Sequence, residues 1–161
     1  MQSNLDRYKQ DLAALLKRGD DLSLAIQHEC LQEEFEKGLE EAIGKKAAEV
    51  LVKELPSFKT AYQRWYSESY AVLKQLLPDR LADFVRLYEK PKTRKEITYD
   101  NYMVEDYLVG LRVTRGEGSE IVVGPDAAIT RFQQQLNILR SVEGRFSSSL
   151  FEIRQLVQAL V

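Results

Sequence analysis

Gln27-His28-Glu29-Cys30 holds the only histidine and the only cysteine of the 161-residue chain. Imidazole and thiolate are common zinc ligands and, paired, make a nucleophile with its base. On a helix, however, residues two apart point about 200° from each other. His28 and Cys30 therefore cannot share a metal or a proton, and zinc needs further ligands that the segment lacks. A boundary histidine is the plainer reading. Glu33, Glu34, Glu36, Glu40 and Glu41 follow. A di-metal bundle would require Glu-x-x-His motifs on facing helices, so with one histidine in the chain this row reads as a solvated helix face. Asp100, Glu105 and Asp106 fall on a short Tyr-rich helix, where Asp100 suits the first turn.

Lys90, Lys92, Arg94 and Lys95 form one compact basic cluster beside Tyr88, Tyr99 and Tyr102. Cations interleaved with aromatics can hold phosphates and stack bases, although a solvated loop with inward tyrosines has the same composition. Trp65, Tyr66 and Tyr70 lie in a segment that holds the only Trp and most of the Tyr. They could line a ligand pocket or serve as core and boundary aromatics. Gly116-Glu117-Gly118 lacks the Lys-Ser/Thr ending of a phosphate loop. No set of these groups makes a catalytic, metal or cofactor site, and the expectation is a protein that is not an enzyme.

The elements that would carry these residues are helical. Twenty-two Leu stand against eight Gly and four Pro, a composition that propagates helices. Leu5 to Leu16 trace a first helix, with Gly19-Asp20-Asp21 an interruption or turn before Leu22–Cys30. Leu31 to Leu51 trace a second, long one. Pro56 opens a third, whose wide apolar arc from Phe58 to Leu77 predicts the most buried helix. Pro78-Asp79 opens a fourth that must stop before Pro91. Residues 89–98 form a charged loop, Thr98 caps a short helix ended by Gly110, and 111–123 reads as one short β-hairpin. The expected fold is a single all-α domain over 1–161, a bundle of five or six helices with a long C-terminal helix. A net charge of −2 sets no field toward nucleic acid or membrane. One cysteine excludes an internal disulfide, and no apolar run spans a bilayer, so the expected setting is the cytoplasm without membrane contact.

From Ile129 onward apolar residues recur at steps of three and four. One seam row is Phe132, Leu139, Phe146, Ile153 and Leu160; the other is Ile129, Leu136, Glu143, Leu150 and Val157. A continuous stripe of this kind wants a partner helix. The rest of the domain, a second copy or a further C-terminal domain could cover it, and the expectation is a homodimer held through Phe146, Leu150, Ile153 and Val157.

Tyr62-Gln-Arg-Trp65-Tyr66, Leu76-Leu-Pro-Asp-Arg-Leu-Ala-Asp-Phe84, Tyr99-Asp-Asn-Tyr102, Asp106-Tyr-Leu-Val-Gly110, Val123-Gly-Pro-Asp126, Phe132-Gln-Gln-Gln-Leu136 and Phe151-Glu-Ile-Arg-Gln-Leu156 resemble the N-terminal region of uncharacterised bacterial proteins. Those proteins carry a HEPN-related helical domain C-terminally. The resemblance spans about residues 56–161. It implies a domain belonging to a longer architecture, and it brings no catalytic residue here: HEPN ribonucleases use an Arg with a His a few residues on, whereas the nearest Arg before His28 is Arg18. The functional expectation is a non-enzymatic helical interaction or oligomerisation domain. The alternatives are a nucleic-acid-associated module of a defence or toxin–antitoxin system and a small-molecule binder.

Overall fold

The computed structural model describes residues 4–115 and 120–147. Among these residues the chain forms α1 (Asn4–Cys30), α2 (Gln32–Ile43), α3 (Lys45–Glu54), α4 (Phe58–Leu76), α5 (Leu81–Tyr88), α6 (Val104–Leu108), α7 (Ala127–Arg140) and α8 (Glu143–Ser147). Two 3₁₀ turns, at 78–80 and 99–101, precede α5 and α6. One antiparallel hairpin joins β1 (Val113–Arg115) to β2 (Glu120–Val123), with Val113 opposite Val123 and a bulge before Thr114. The fold is an all-α bundle with a single small hairpin.

Two of the five or six expected helices are each divided. The long second helix breaks at Gly44, whose φ of +88° is open to glycine without a Cβ clash; α2 and α3 then fold against each other. The C-terminal helix breaks at Ser141-Val142. A straight continuation would bring Glu143 into the seam. The turn instead buries Val142 and Phe146 and leaves Glu143 exposed, while Arg140 pairs with Asp20 of α1 at 2.7 Å and not with Glu143.

The first helix departs in the other direction, since α1 runs through Gly19 unbroken. Gly19 is there for proximity: a Cβ would lie 2.5 Å from Leu136 Cδ1 and 3.1 Å from Trp65 Nε1. Gly38, on exposed α2, has nothing within 4 Å of the same position. Gly19→Ala should therefore destabilise by about 1–3 kcal/mol, the usual overpacking range. Gly38→Ala should stabilise by about 1 kcal/mol through helix propensity. Urea unfolding of the two variants checks the opposite signs, and equal stabilisation would remove the close approach.

The core lies where α1, α4, α5 and α7 meet. Phe58, Tyr62, Trp65, Phe84, Phe132 and Leu139 are fully inaccessible, each side chain contributing about 1.5–3 kcal/mol by its burial. Gln135 is buried among them yet satisfied. Its Oε1 accepts from the Tyr62 hydroxyl at 2.7 Å, and its Nε2 donates to the Phe84 carbonyl at 3.0 Å. That pair of bonds fixes the relative register of α4, α5 and α7, because a slip would leave buried polar groups unpaired.

Candidate interaction surface

The basic loop is only partly a surface. Lys90, Lys92 and Lys95 are exposed and have no ion pair among the described residues. Arg94 turns inward. Its Nη1 donates to Asp106 Oδ2 and to the Asn101 carbonyl, both at 2.8 Å, and its Nη2 donates to Asp106 Oδ1 at 2.5 Å. Asp106, 1% exposed, also accepts the Met103 N–H at 2.9 Å and so holds the first turn of α6. Burial opposes the charge on Asp106, but the Arg94 hydrogen bonds, the Met103 N–H and the Arg94 field outweigh it and hold the carboxyl below its usual range. Arg94 is thus a structural cation and not a phosphate contact. The reading of the cluster as a solvated loop therefore fails at this residue, which is part of the fold.

The proposed aromatic pocket separates in the same way. Trp65 is inaccessible and donates from Nε1 to the Leu15 carbonyl at 3.1 Å; it borders a separate cleft, of about 460 Å³ beside Arg18, Glu54 and Thr60, and shares none with Tyr66 or Tyr70. Tyr66 stacks on Phe84 at 5.3 Å and lies 4.4 Å from Tyr88; burial pushes its hydroxyl up to about 12. Tyr70 does reach a cleft, of about 750 Å³, whose apolar floor includes Leu81, Val85 and Met103 and whose rim carries Lys90 and Lys92. The structure thereby joins one residue of the expected pocket to two of the basic cluster.

A second cleft, of about 890 Å³, opens beside Glu29, Cys30, Lys59, Tyr107 and Arg112. Its central carboxylate is already engaged. Glu29 accepts the Phe58 N–H at 2.8 Å, capping α4 from α1, and the Tyr107 hydroxyl at 2.7 Å. Burial pushes the Cys30 thiol up to about 11, which leaves it protonated and a poor nucleophile at neutral pH. His28 is a joint between helices: its Nε2 lies 2.9 Å from Glu36 Oε1 of α2, and its ring meets Phe35 edge-on at 5.6 Å. Among the described residues no group of three or more His, Cys, Asp or Glu is placed to hold a metal ion, and no helix is long and apolar enough to cross a membrane.

Among the described residues the apolar part of the C-terminal seam packs into the core, with Ile129 half-buried and Glu143 left exposed. Phe132, Leu136, Leu139 and Phe146 are buried within the chain, and Phe146 sits beside Leu12 and Ala13 of α1. Phe146 is therefore not an intermolecular contact, because α8 folds back on α1 and covers it. Leu150, Ile153 and Val157 lie outside the described residues.

What stands uncovered is the α2–α3 pair. No residue of α2 is buried, and Ala48 alone is buried in α3. Leu31, Ile43 and Val50 are 41, 45 and 56% exposed, three of the five strongly exposed large apolar side chains among the described residues. Residues 31–55 carry seven Glu against four Lys, a net −3 in a chain of net −2. The two helices thus form an arm that carries exposed apolar residues among acidic ones and packs chiefly on α1. Compared with known proteins, the chain matches no family model, no curated protein and no solved structure.

Proposed function

We propose that this protein is a non-enzymatic helical interaction domain of a reducing cytosol and that it self-associates through the α2–α3 arm. The observation that carries the reading is the exposure of Leu31 just before α2, Ile43 at its end and Val50 on α3, in a stretch with almost no burial of its own. Single exposed apolar residues are ordinary, whereas grouped ones mark an interaction surface. The face is modest: twelve residues of α2 span about 18 Å, and two helices side by side are about 20 Å across. Such a face falls below the roughly 1,200 Å² of total burial typical of stable complexes, so the association is transient. In the longer architecture that the sequence resembles, a HEPN-related domain would carry any nuclease chemistry and this one would bring copies together. Against the nucleic-acid alternative stand the engagement of Arg94 within the fold and the negative arm, which repels phosphate.

Light scattering at tens of micromolar tests the reading. The wild-type chain should exceed its 18.6 kDa monomer mass. Ile43→Ser/Val50→Ser should return it to the monomer with a melting temperature changed by only a few degrees, as expected of surface substitutions. Association that survives in this variant and disappears in Leu150→Glu/Ile153→Glu would move the interface to the C-terminal row and overturn the reading.

A further inference from the structure

We infer that His28 is a proton-operated latch: its imidazolium clamps the α2–α3 arm to α1 through Glu36, and loss of the proton lets the arm come away. The inference concerns how the arm is held and does not depend on what the arm meets. Among the described residues one side-chain hydrogen bond joins residues 32–54 to the rest of the chain, that of His28 Nε2 with Glu36 Oε1 at 2.9 Å. The edge-on contact of the His28 ring with Phe35, at 5.6 Å, falls at the same place. The apolar hold on the arm is slight, since no residue of α2 is buried and only Ala48 of α3 is. At Leu31 the backbone leaves the helical region, with φ −132° and ψ +54°, and turns α2 against α1. The sole polar tie of the arm thus rests on the sole histidine of the chain, the side-chain type that changes charge between about pH 5 and 8.

The charges around the ring set the direction of the effect. From α2 the ring meets Glu36, and the Gln32 amide donates to the same carboxylate oxygen at 3.3 Å. The His28 hydrogen bond holds the Glu36 carboxyl below its usual range, so it stays ionised throughout that window. On α1 the neighbouring Glu29 is taken up by the Phe58 N–H and the Tyr107 hydroxyl, and the Cys30 thiol, pushed up to about 11, stays neutral. Lys59 of α4 lies over the Tyr107 ring at 5.2 Å. Lys45, Lys46, Glu49, Lys53 and Glu54 of α3 make no hydrogen bond or ion pair with the histidine. His28 therefore answers to one carboxylate. An imidazolium gives Glu36 a charge-assisted hydrogen bond, roughly twice as strong as one from a neutral ring, so the latch is tightest on the acid side of the window and weakens as pH rises. Freed from α1, a helix of twelve residues is marginal in water, and its amides then open to solvent.

Hydrogen exchange of the α2 amides in the full chain, expressed as protection relative to the intrinsic rate at each pH, reads this opening. Wild-type protection in α2 should fall by about two- to fivefold between about pH 5.5 and about pH 8, the range of a partly exposed ion pair, while α4 keeps its own. His28→Gln and Glu36→Gln each retain a neutral hydrogen bond. Both should show the lower α2 protection on the acid side and little dependence on pH, with α4 protection intact as the sign that the variants are folded. A merely structural histidine would lower protection in the variants yet leave wild type flat across the range. That result, a wild-type fall that α4 shares equally, or a pH dependence of wild-type size surviving in either variant overturns the latch. None of these outcomes bears on association through the arm, which the light-scattering test decides separately.

Discussion

Asp106→Ala should destabilise the fold by about 3–5 kcal/mol, the cost of breaking a buried ion pair by removing one partner. Arg94 is 14% exposed and Asp106 1%, so the deletion strands a guanidinium that three hydrogen bonds now hold. It also removes the acceptor for the Met103 N–H at the start of α6. Arg94→Ala should fall in the same range, since it leaves a carboxylate in the interior without its cation. The double variant should lose less than the two singles combined, because neither charge is then left alone. Lys90→Ala/Lys92→Ala/Lys95→Ala on the same loop should stay within about 0.5 kcal/mol of wild type, as exposed positions do. The pair also sets an acid limit. The folded pKa of Asp106 is depressed, so its contribution is full above the unfolded carboxylate value of about 3.9 and is lost as pH falls through the lower folded value. Wild type should thus lose stability below about pH 4 more steeply than Asp106→Ala does. Chemical denaturation across pH measures both effects. A melting temperature unchanged in Asp106→Ala would mean that the loop is not anchored by this pair.

Helical period carried most of the architecture. The apolar steps of α1, α4 and α7 answer to one rule of spacing, and each segment is helical where its steps run, although α1 passes through the expected turn and the last helix breaks at Ser141. Period is blind to what breaks a helix from outside. Gly44 and Gly19 look alike in sequence, yet one turns the chain and the other admits Trp65 and Leu136, a difference that only the neighbouring helices decide. The seam from Ile129 is ambiguous for a related reason: a heptad row does not say whether its partner is in the same chain. For Phe132 the partners are Phe58 and Trp65 of α4, and for Leu136 Gly19 of α1. Of the site residues, Lys90, Lys92 and Tyr70 were visible as types, but their meeting in one cleft depends on how the 89–98 loop lies over α5. Nothing in the spacing marks Asp106, Gln135 or Glu29, whose roles come from partners 12, 51 to 73, and 29 to 78 residues away. Four basic residues within six positions suggested one surface, and a carboxylate twelve residues on divided it. The exposed arm had a signal, since Leu31, Ile43 and Val50 sit among seven Glu, but an amphipathic helix reads the same whether or not its apolar face is covered.

Trp65→Ala should also cost about 3–5 kcal/mol, the range for emptying a large aromatic site. The indole has no exposed edge, lies 5.0 Å from the Phe132 ring and 6.0 Å from the Phe84 ring, and donates to the Leu15 carbonyl. Truncation removes contacts from three helices at once, and the rings around it belong to different elements that cannot all shift to close the space. Trp65→Phe should cost less, since a ring still fills most of the site and only the N–H and the five-membered portion are lost. That variant gives the sharper test, because it changes what Gly19 meets. Trp65 Nε1 is one of the two atoms that a Cβ at position 19 approaches, at 3.1 Å. With phenylalanine at 65 that atom is gone, and the methyl group of Gly19→Ala has somewhere to go. Trp65→Phe/Gly19→Ala should therefore lose clearly less stability than its two single variants together, a coupling of about 0.5–3 kcal/mol between residues in contact. Strict additivity in urea unfolding would place the clash of Gly19→Ala on Leu136 alone and would detach Trp65 from the helix crossing that it fills.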